Sequence, residues 1–159
     1  MLKVAIIAGA GLAFVPGLPI PAHSQTTAAQ AGAISSEAKT HRVIIQVTQN
    51  DPAVMNMALN NAENLLQYFH DKGEKIEIEF VAYGAGLSMV RSDTSPVKER
   101  LAAMTGIKNV TVSGCGNTLA KQSKIESKQI SLIPGVHLVD AGIARVVELE
   151  EAGWTYVRP

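Results

Sequence analysis

Cysteine is almost absent from this chain: Cys115 is the only one in 159 residues. One thiol closes no disulfide within the chain, so the fold is not disulfide-stapled. Cysteine-rich zinc and iron–sulfur centres are excluded for the same reason. Aromatic residues are scarce at 4%, which argues against base-stacking platforms. No excess of charge exists either, because Lys+Arg and Asp+Glu number 14 each and the formal net charge is zero. That balance leaves no footprint for nucleic acid or for an anionic membrane surface. His41, His70 and His137 lack the His-x-x-x-His spacing of a metal site, so neither a metal nor a metal hydrolase is expected. Gly84-Ala85-Gly86 lacks the third glycine and the following acidic residue of a nucleotide-binding turn. It reads as turn chemistry, and no cofactor is expected.

What is present begins with an address. Met1-Leu2-Lys3 is a short positive start, Val4 to Val15 an apolar run, and Pro16 to Pro21 its break. Ala22-His23-Ser24 offers the small residues that a signal peptidase reads. Residues 1–24 therefore read as a secretory signal peptide cleaved near Ser24, with export to a periplasm. The run is too short and too broken by Gly and Pro for a spanning helix, which needs about 20 apolar residues. Residues 25–40, rich in Ala, Thr, Gln and Ser, read as a flexible leader. Residues 41–159 form the domain.

Within the domain, strand and helix patterns alternate. His41–Thr48 is an apolar run suited to a central parallel strand. Asp51 and Pro52 provide an N-cap and a first helical residue. The helix from Pro52 to Lys72 carries Met55, Ala58, Leu59, Ala62, Leu65, Leu66 and Phe69 at helical spacing, and Gly73 ends it. Lys75–Tyr83 is the second strand. Leu87–Arg91 is a short helical piece, and Ser95-Pro96 starts a helix closed by Gly106. Val110–Gly114 is the third strand. A helix over Asn117–Ser123, a strand over Val136–Val139, a helix over Ile143–Ala152 and a strand over Trp154–Arg158 follow. In the last helix Val146, Val147 and Leu149 are expected to pack inward. This alternation predicts an α/β fold with a mostly parallel sheet of about five strands and helices on both faces.

The working part is expected at Val110-Thr111-Val112-Ser113-Gly114-Cys115-Gly116-Asn117-Thr118-Leu119. Gly114 and Gly116 bracket Cys115, allowing positive φ or close approach of a ligand. Asn117 or Thr118 would cap the next helix. A thiol there meets the positive end of a helix dipole, which favours the nucleophilic thiolate. Sites in open α/β sheets form at the carboxyl ends of strands, and this is such an end. Free cysteine is also among the most buried residue types and often only fills space, so a packed, inert Cys115 stands beside the reactive one. The candidate ligand contacts are Gly114, Gly116, Asn117 and Thr118, joined by Gly84, Gly86 and Asn50 from the neighbouring strand ends.

Several motifs together carry a resemblance. They are Asn50-Asp51-Pro52, Ala58-Leu59-Asn60-Asn61-Ala62-Glu63-Asn64-Leu65-Leu66, Val81-Ala82-Tyr83-Gly84-Ala85-Gly86, Cys115-Gly116-Asn117-Thr118-Leu119 and the ending Gly153-Trp154-Thr155-Tyr156-Val157-Arg158-Pro159. Over residues 41–159 the chain resembles the DsrE/DsrF-like family, most closely its exported single-domain branch. That resemblance implies a flavodoxin-like three-layer sandwich assembling as trimers or hexamers. In the sulfur-relay members a cysteine after a sheet strand carries sulfur as a persulfide, and Cys115 stands at the corresponding position. It implies a sulfur donor or acceptor protein as partner. The alternative is a non-catalytic oligomeric module that binds a small ligand or a protein.

Overall fold

The computed structural model describes residues 39–159. The expected signal segment and nearly all of the leader lie outside the described residues. In chain order the elements are β1 (Thr40–Val47), α1 (Pro52–Asp71), β2 (Lys75–Ala82), a 3₁₀ helix (Gly84–Val90), α2 (Lys98–Thr105), β3 (Val110–Cys115), α3 (Gly116–Ile125), β4 (His137–Val139), α4 (Gly142–Glu151) and β5 (Thr155–Val157). The strands form one sheet in the order β4-β3-β2-β1-β5, and every pairing is parallel. This is the expected α/β sandwich with a flavodoxin-like layout, and its five strands are wholly rather than mostly parallel.

Alternation along the strands divides the core in two. Val43, Ile45 and Val47 of β1 point to the same side as Ile76, Ile78, Phe80 and Ala82 of β2 and Val110 and Val112 of β3. There they meet Met55, Ala58, Leu59 and Ala62 of α1 and Leu101 and Met104 of α2. Each large side chain so buried contributes roughly 1.5–3 kcal/mol. On the other side Ile44 and Val81 meet Val146 and Leu149 of α4. That second face also buries a charge: Glu79 accepts from Arg145 Nε at 2.9 Å, from Arg145 Nη2 at 2.8 Å and from Ser113 Oγ at 2.7 Å. A buried carboxylate is tolerable because it is paired and hydrogen-bonded in this way.

Local chemistry sets the helix ends. Asp51 caps α1 by accepting the Ala53 N–H at 2.8 Å, as expected. Gly73, at φ +66°, follows the α1 terminus. In α2 and α4 the structure differs from expectation. First, α2 starts at Lys98 rather than at Ser95-Pro96, because the Ser95 hydroxyl donates to Met89 O at 2.6 Å and accepts the Val97 N–H at 3.3 Å. These bonds fold the segment into a turn before the helix begins. Second, Val147 is 47% exposed while Val146 and Leu149 are buried. One helical stripe cannot turn adjacent residues Val146 and Val147 to the same side.

The 3₁₀ helix is pressed against the exit of β1. A Cβ on Gly86 would stand 2.2 Å from the Val47 carbonyl oxygen, a rigid backbone atom. Gly84 has φ +58° with open space around it. Gly84→Ala is therefore expected to cost about 1 kcal/mol, the left-handed penalty alone. Gly86→Ala should cost about 3 kcal/mol or more through overpacking. Denaturant unfolding of the two variants checks the order, and equal losses would contradict the close approach.

Candidate functional site at the carboxyl edge of the sheet

Parallel pairing of β1, β2 and β3 aligns their carboxyl ends, and the candidate residues collect there. Asn50, beyond β1, accepts from Ser88 Oγ of the 3₁₀ helix at 2.6 Å. Gly86 of that helix lies on the end of β1. Gly84 donates its N–H to Thr118 Oγ1 of α3 at 3.2 Å. The structure thus brings Asn50, Gly84, Gly86 and the 114–118 segment to one edge.

The cysteine turn differs from the expected one. Cys115 is the last residue of β3, in extended conformation, and it is itself the N-cap of α3. Its Sγ accepts the Thr118 N–H at 3.4 Å. Neither Asn117 nor Thr118 fills that role, because β3 runs one residue further than the valine-rich pattern indicated. Gly114 and Gly116 are not in the left-handed region either. They are small because the space is small. A Cβ on Gly114 would meet Leu132 and Val90 at 3.3 Å, and one on Gly116 would meet the Val139 carbonyl at 3.1 Å.

One hydrogen bond reaches the sulfur, from the Thr118 N–H, and N–H groups at the starts of two helices favour its charged form. The N–H groups of Thr118 and Asn117 come from α3, and that of Gly142 from α4. The Asn117 N–H also donates to Asp140 O at 3.1 Å, which ties the two starts together. Cys115 is only 5% exposed. Burial pushes the thiol up, but the Thr118 hydroxyl and the N–H groups of Gly142, Thr118 and Asn117 outweigh it, and the net direction is down. A cysteine that merely fills an apolar hole would be displaced upward instead. The Thr118 oxygen also accepts the Gly84 N–H, which holds this side chain at the edge.

Three residues that the sequence did not single out stand beside this edge. Tyr83 accepts a hydrogen bond from Gln46 Nε2, and Tyr156 donates to Gln46 Oε1 at 2.5 Å. The Tyr83 side chain lies against Gly142, where a Cβ would come within 2.8 Å of it. Burial pushes the Tyr83 hydroxyl up, and neighbouring Tyr156 and Cys115 add to this while Arg158 opposes it. Only the spatial order β2-β1-β5 brings these residues together, and no local pattern signals it. A separate open groove of about 1050 Å³ runs past Thr40, Lys75 and Asn109. It lies at the amino ends of the strands and includes none of the candidate residues. Glu79 and Arg145 on its wall are already paired with each other.

No family model and no curated protein matches the chain. Among solved structures it is similar to MTH1491, a protein of unknown function from Methanobacterium thermoautotrophicum. The two share 28% sequence identity with a TM-score of 0.64, over 75% of this chain and 99% of that one. The likeness supports the fold across the described domain.

The balance at the sulfur is measurable. Cys115 is the only thiol, so the ultraviolet absorbance of thiolate, with Cys115→Ser as blank, reports it alone. Its titration midpoint is expected below the free-cysteine value of about 8.5. Thr118→Val removes a hydrogen bond to the charged form and should reduce the thiolate fraction at neutral pH by about tenfold. A wild-type midpoint at or above the free value would contradict this balance.

Proposed function

We propose that the chain is a sulfur carrier of the DsrE/DsrF-like type, holding sulfane sulfur as a persulfide on Cys115. The observation that carries this reading is the capping of α3 by the cysteine sulfur, which accepts the Thr118 N–H. Backbone N–H groups at helix starts favour an anion over a neutral group. They serve a thiolate and, one atom further out, the terminal sulfur of a persulfide.

The transfer balances without an oxidant. The Cys115 thiolate attacks the outer sulfur of a donor persulfide or polysulfide. A new S–S bond forms, the donor's S–S bond breaks, and the donor thiolate leaves with the electron pair. An acceptor thiolate reverses the sequence. The expected signal peptide supports a periplasmic setting, with the donor or acceptor protein in the same compartment. No helix among the described residues is long and apolar enough to cross a membrane.

The burial of Cys115 favours a second reading, in which the same edge belongs to a non-catalytic oligomeric module that binds a small ligand or a protein. In both readings the chain assembles with itself as a trimer or hexamer. Apolar side chains left in solvent support assembly: Leu138 on β4 is 59% exposed, Ile143 on α4 56%, and Tyr156 on β5 is also uncovered. Ile143 and Val147 are one turn apart on α4 and so share one stripe.

Two measurements test these readings. Intact mass of the folded domain after polysulfide treatment should show added sulfur that a reductant removes, with none on Cys115→Ser. No addition to the folded wild type would sink the carrier and leave the binding module. Sedimentation at micromolar concentration should show an oligomer, which Ile143→Glu combined with Val147→Glu shifts toward monomer. A monomeric wild type would refute assembly.

A further inference from the structure

The other helices are held by buried apolar residues, and α3 is not. Met55, Ala58, Leu59 and Ala62 anchor α1, Leu101 and Met104 anchor α2, and Val146 and Leu149 anchor α4. No residue of α3 is buried. Leu119 is its partly buried contact with the main core, and Ile125 is 71% exposed. Yet α3 supplies the N–H groups at Cys115, so something else must fix its position.

Arg91 makes the polar contacts that reach the carboxyl end of α3. It directly follows the 3₁₀ helix and is 5% exposed. Nε and Nη2 donate to the two carboxylate oxygens of Asp93, each at 2.9 Å. Nη1 donates to Gln122 Oε1 at 3.0 Å and to Glu126 Oε1 at 2.5 Å, while Nη2 also donates to Glu126 Oε2 at 2.8 Å. These contacts use the full donor capacity of a guanidinium. Lys128 closes the cluster on Asp93 at 2.9 Å and on Glu126 at 3.1 Å. Gln122 also turns its Nε2 to the Gly84 carbonyl at 3.4 Å, and the Gly84 N–H reaches Thr118. The 3₁₀ helix and α3 are therefore laced at both ends, from Arg91 to Gln122 and Glu126 and from Gly84 to Gln122 and Thr118.

We propose that Arg91 is a positioning residue for the Cys115 site, setting where α3 lies and so keeping its first N–H groups on the sulfur. The inference rests on reading Cys115 as a working thiolate, but not on its carrying sulfur. Lysine cannot replace the fork, because a point charge does not bond a carboxylate pair and an amide in one plane. The guanidinium and Lys128 together hold the Glu126 carboxyl down at about 2 and Asp93 well below the ordinary carboxylate range. The lacing is thus fully ionised at neutral pH.

The test is the thiolate titration of Cys115 in the full domain, run on Arg91→Lys and on Gln122→Met. Gln122→Met changes one half-buried helical residue, keeps helix propensity and removes one bond from each lace, Arg91–Gln122 and Gln122–Gly84. Each variant is expected to raise the titration midpoint toward the free-cysteine value and to speed amide exchange in the first turn of α3. Arg91→Lys folded with the wild-type midpoint overturns the proposal; where it does not fold, Gln122→Met combined with Glu126→Ala, which strips Arg91 of both its α3 partners, folded with the wild-type midpoint does so. Sulfur loading is a separate readout. A wild type that takes no sulfur, beside variants that shift the midpoint, defeats the carrier reading and leaves this inference standing.

Discussion

Parallel pairing of β1, β2 and β3 is the constraint from which the candidate site follows. Parallel strands run in one direction, so their exits lie on one edge and their connecting loops meet there. Val47, Ala82 and Cys115 are the three exits. From them come the loop with Asn50, the 3₁₀ helix with Gly84 and Gly86, and α3 with Thr118. The contacts Asn50–Ser88, Gly84–Thr118 and Gly86 against Val47 are consequences of that alignment. A register slip between β2 and β3 would break the second of these at once, because it moves Gly84 past Thr118.

Burial and hydrogen bonding pull in opposite directions at Cys115, and their balance distinguishes a site from a filled hole. An apolar cavity penalises the thiolate and gives nothing back. Here the Thr118 N–H donates to the sulfur, and the Thr118 hydroxyl and the N–H groups of Gly142 and Asn117 also favour its charged form. These donors are fixed by the backbone, so stabilising the anion requires no reorganisation. The same logic extends to the Arg91 cluster, where a buried cation is tolerable because two carboxylates and an amide saturate it. Both features place charge where the fold has arranged partners in advance.

Much of this was legible in the chain. The apolar run of β1, the helical spacing from Met55 to Phe69 and the Asp51-Pro52 start specify their elements through purely local physics. The alternation of strand and helix then yields the parallel sheet. Cys115 could be placed at a strand exit because the valines of β3 precede it and a helix follows. What failed was finer. The glycines around Cys115 were read as allowing positive φ or close approach of a ligand; neither has positive φ, and Leu132, Val90 and the Val139 carbonyl crowd them. Those neighbours come from distant parts of the chain. The cap was assigned to Asn117 or Thr118 because oxygen side chains lead the preferences for that role. That preference describes helices in general and cannot see a strand that runs one residue longer.

Arg91 was wholly hidden for a related reason. It follows a glycine-rich apolar segment and precedes Ser92 and Asp93, so its pattern is that of a loop charge facing water. Its partners Gln122 and Glu126 lie more than thirty positions away, on a helix with little apolar face of its own. A helix without a buried anchor is weakly specified by hydrophobic pattern, and polar contacts then decide its place. Polar contacts are directional and short-ranged, unlike apolar burial, which tolerates rotation and sliding. A helix held this way can present its first N–H groups at a fixed distance from one atom. Holding α3 by a saturated guanidinium therefore suits a segment whose task is to meet a sulfur rather than to fill a core.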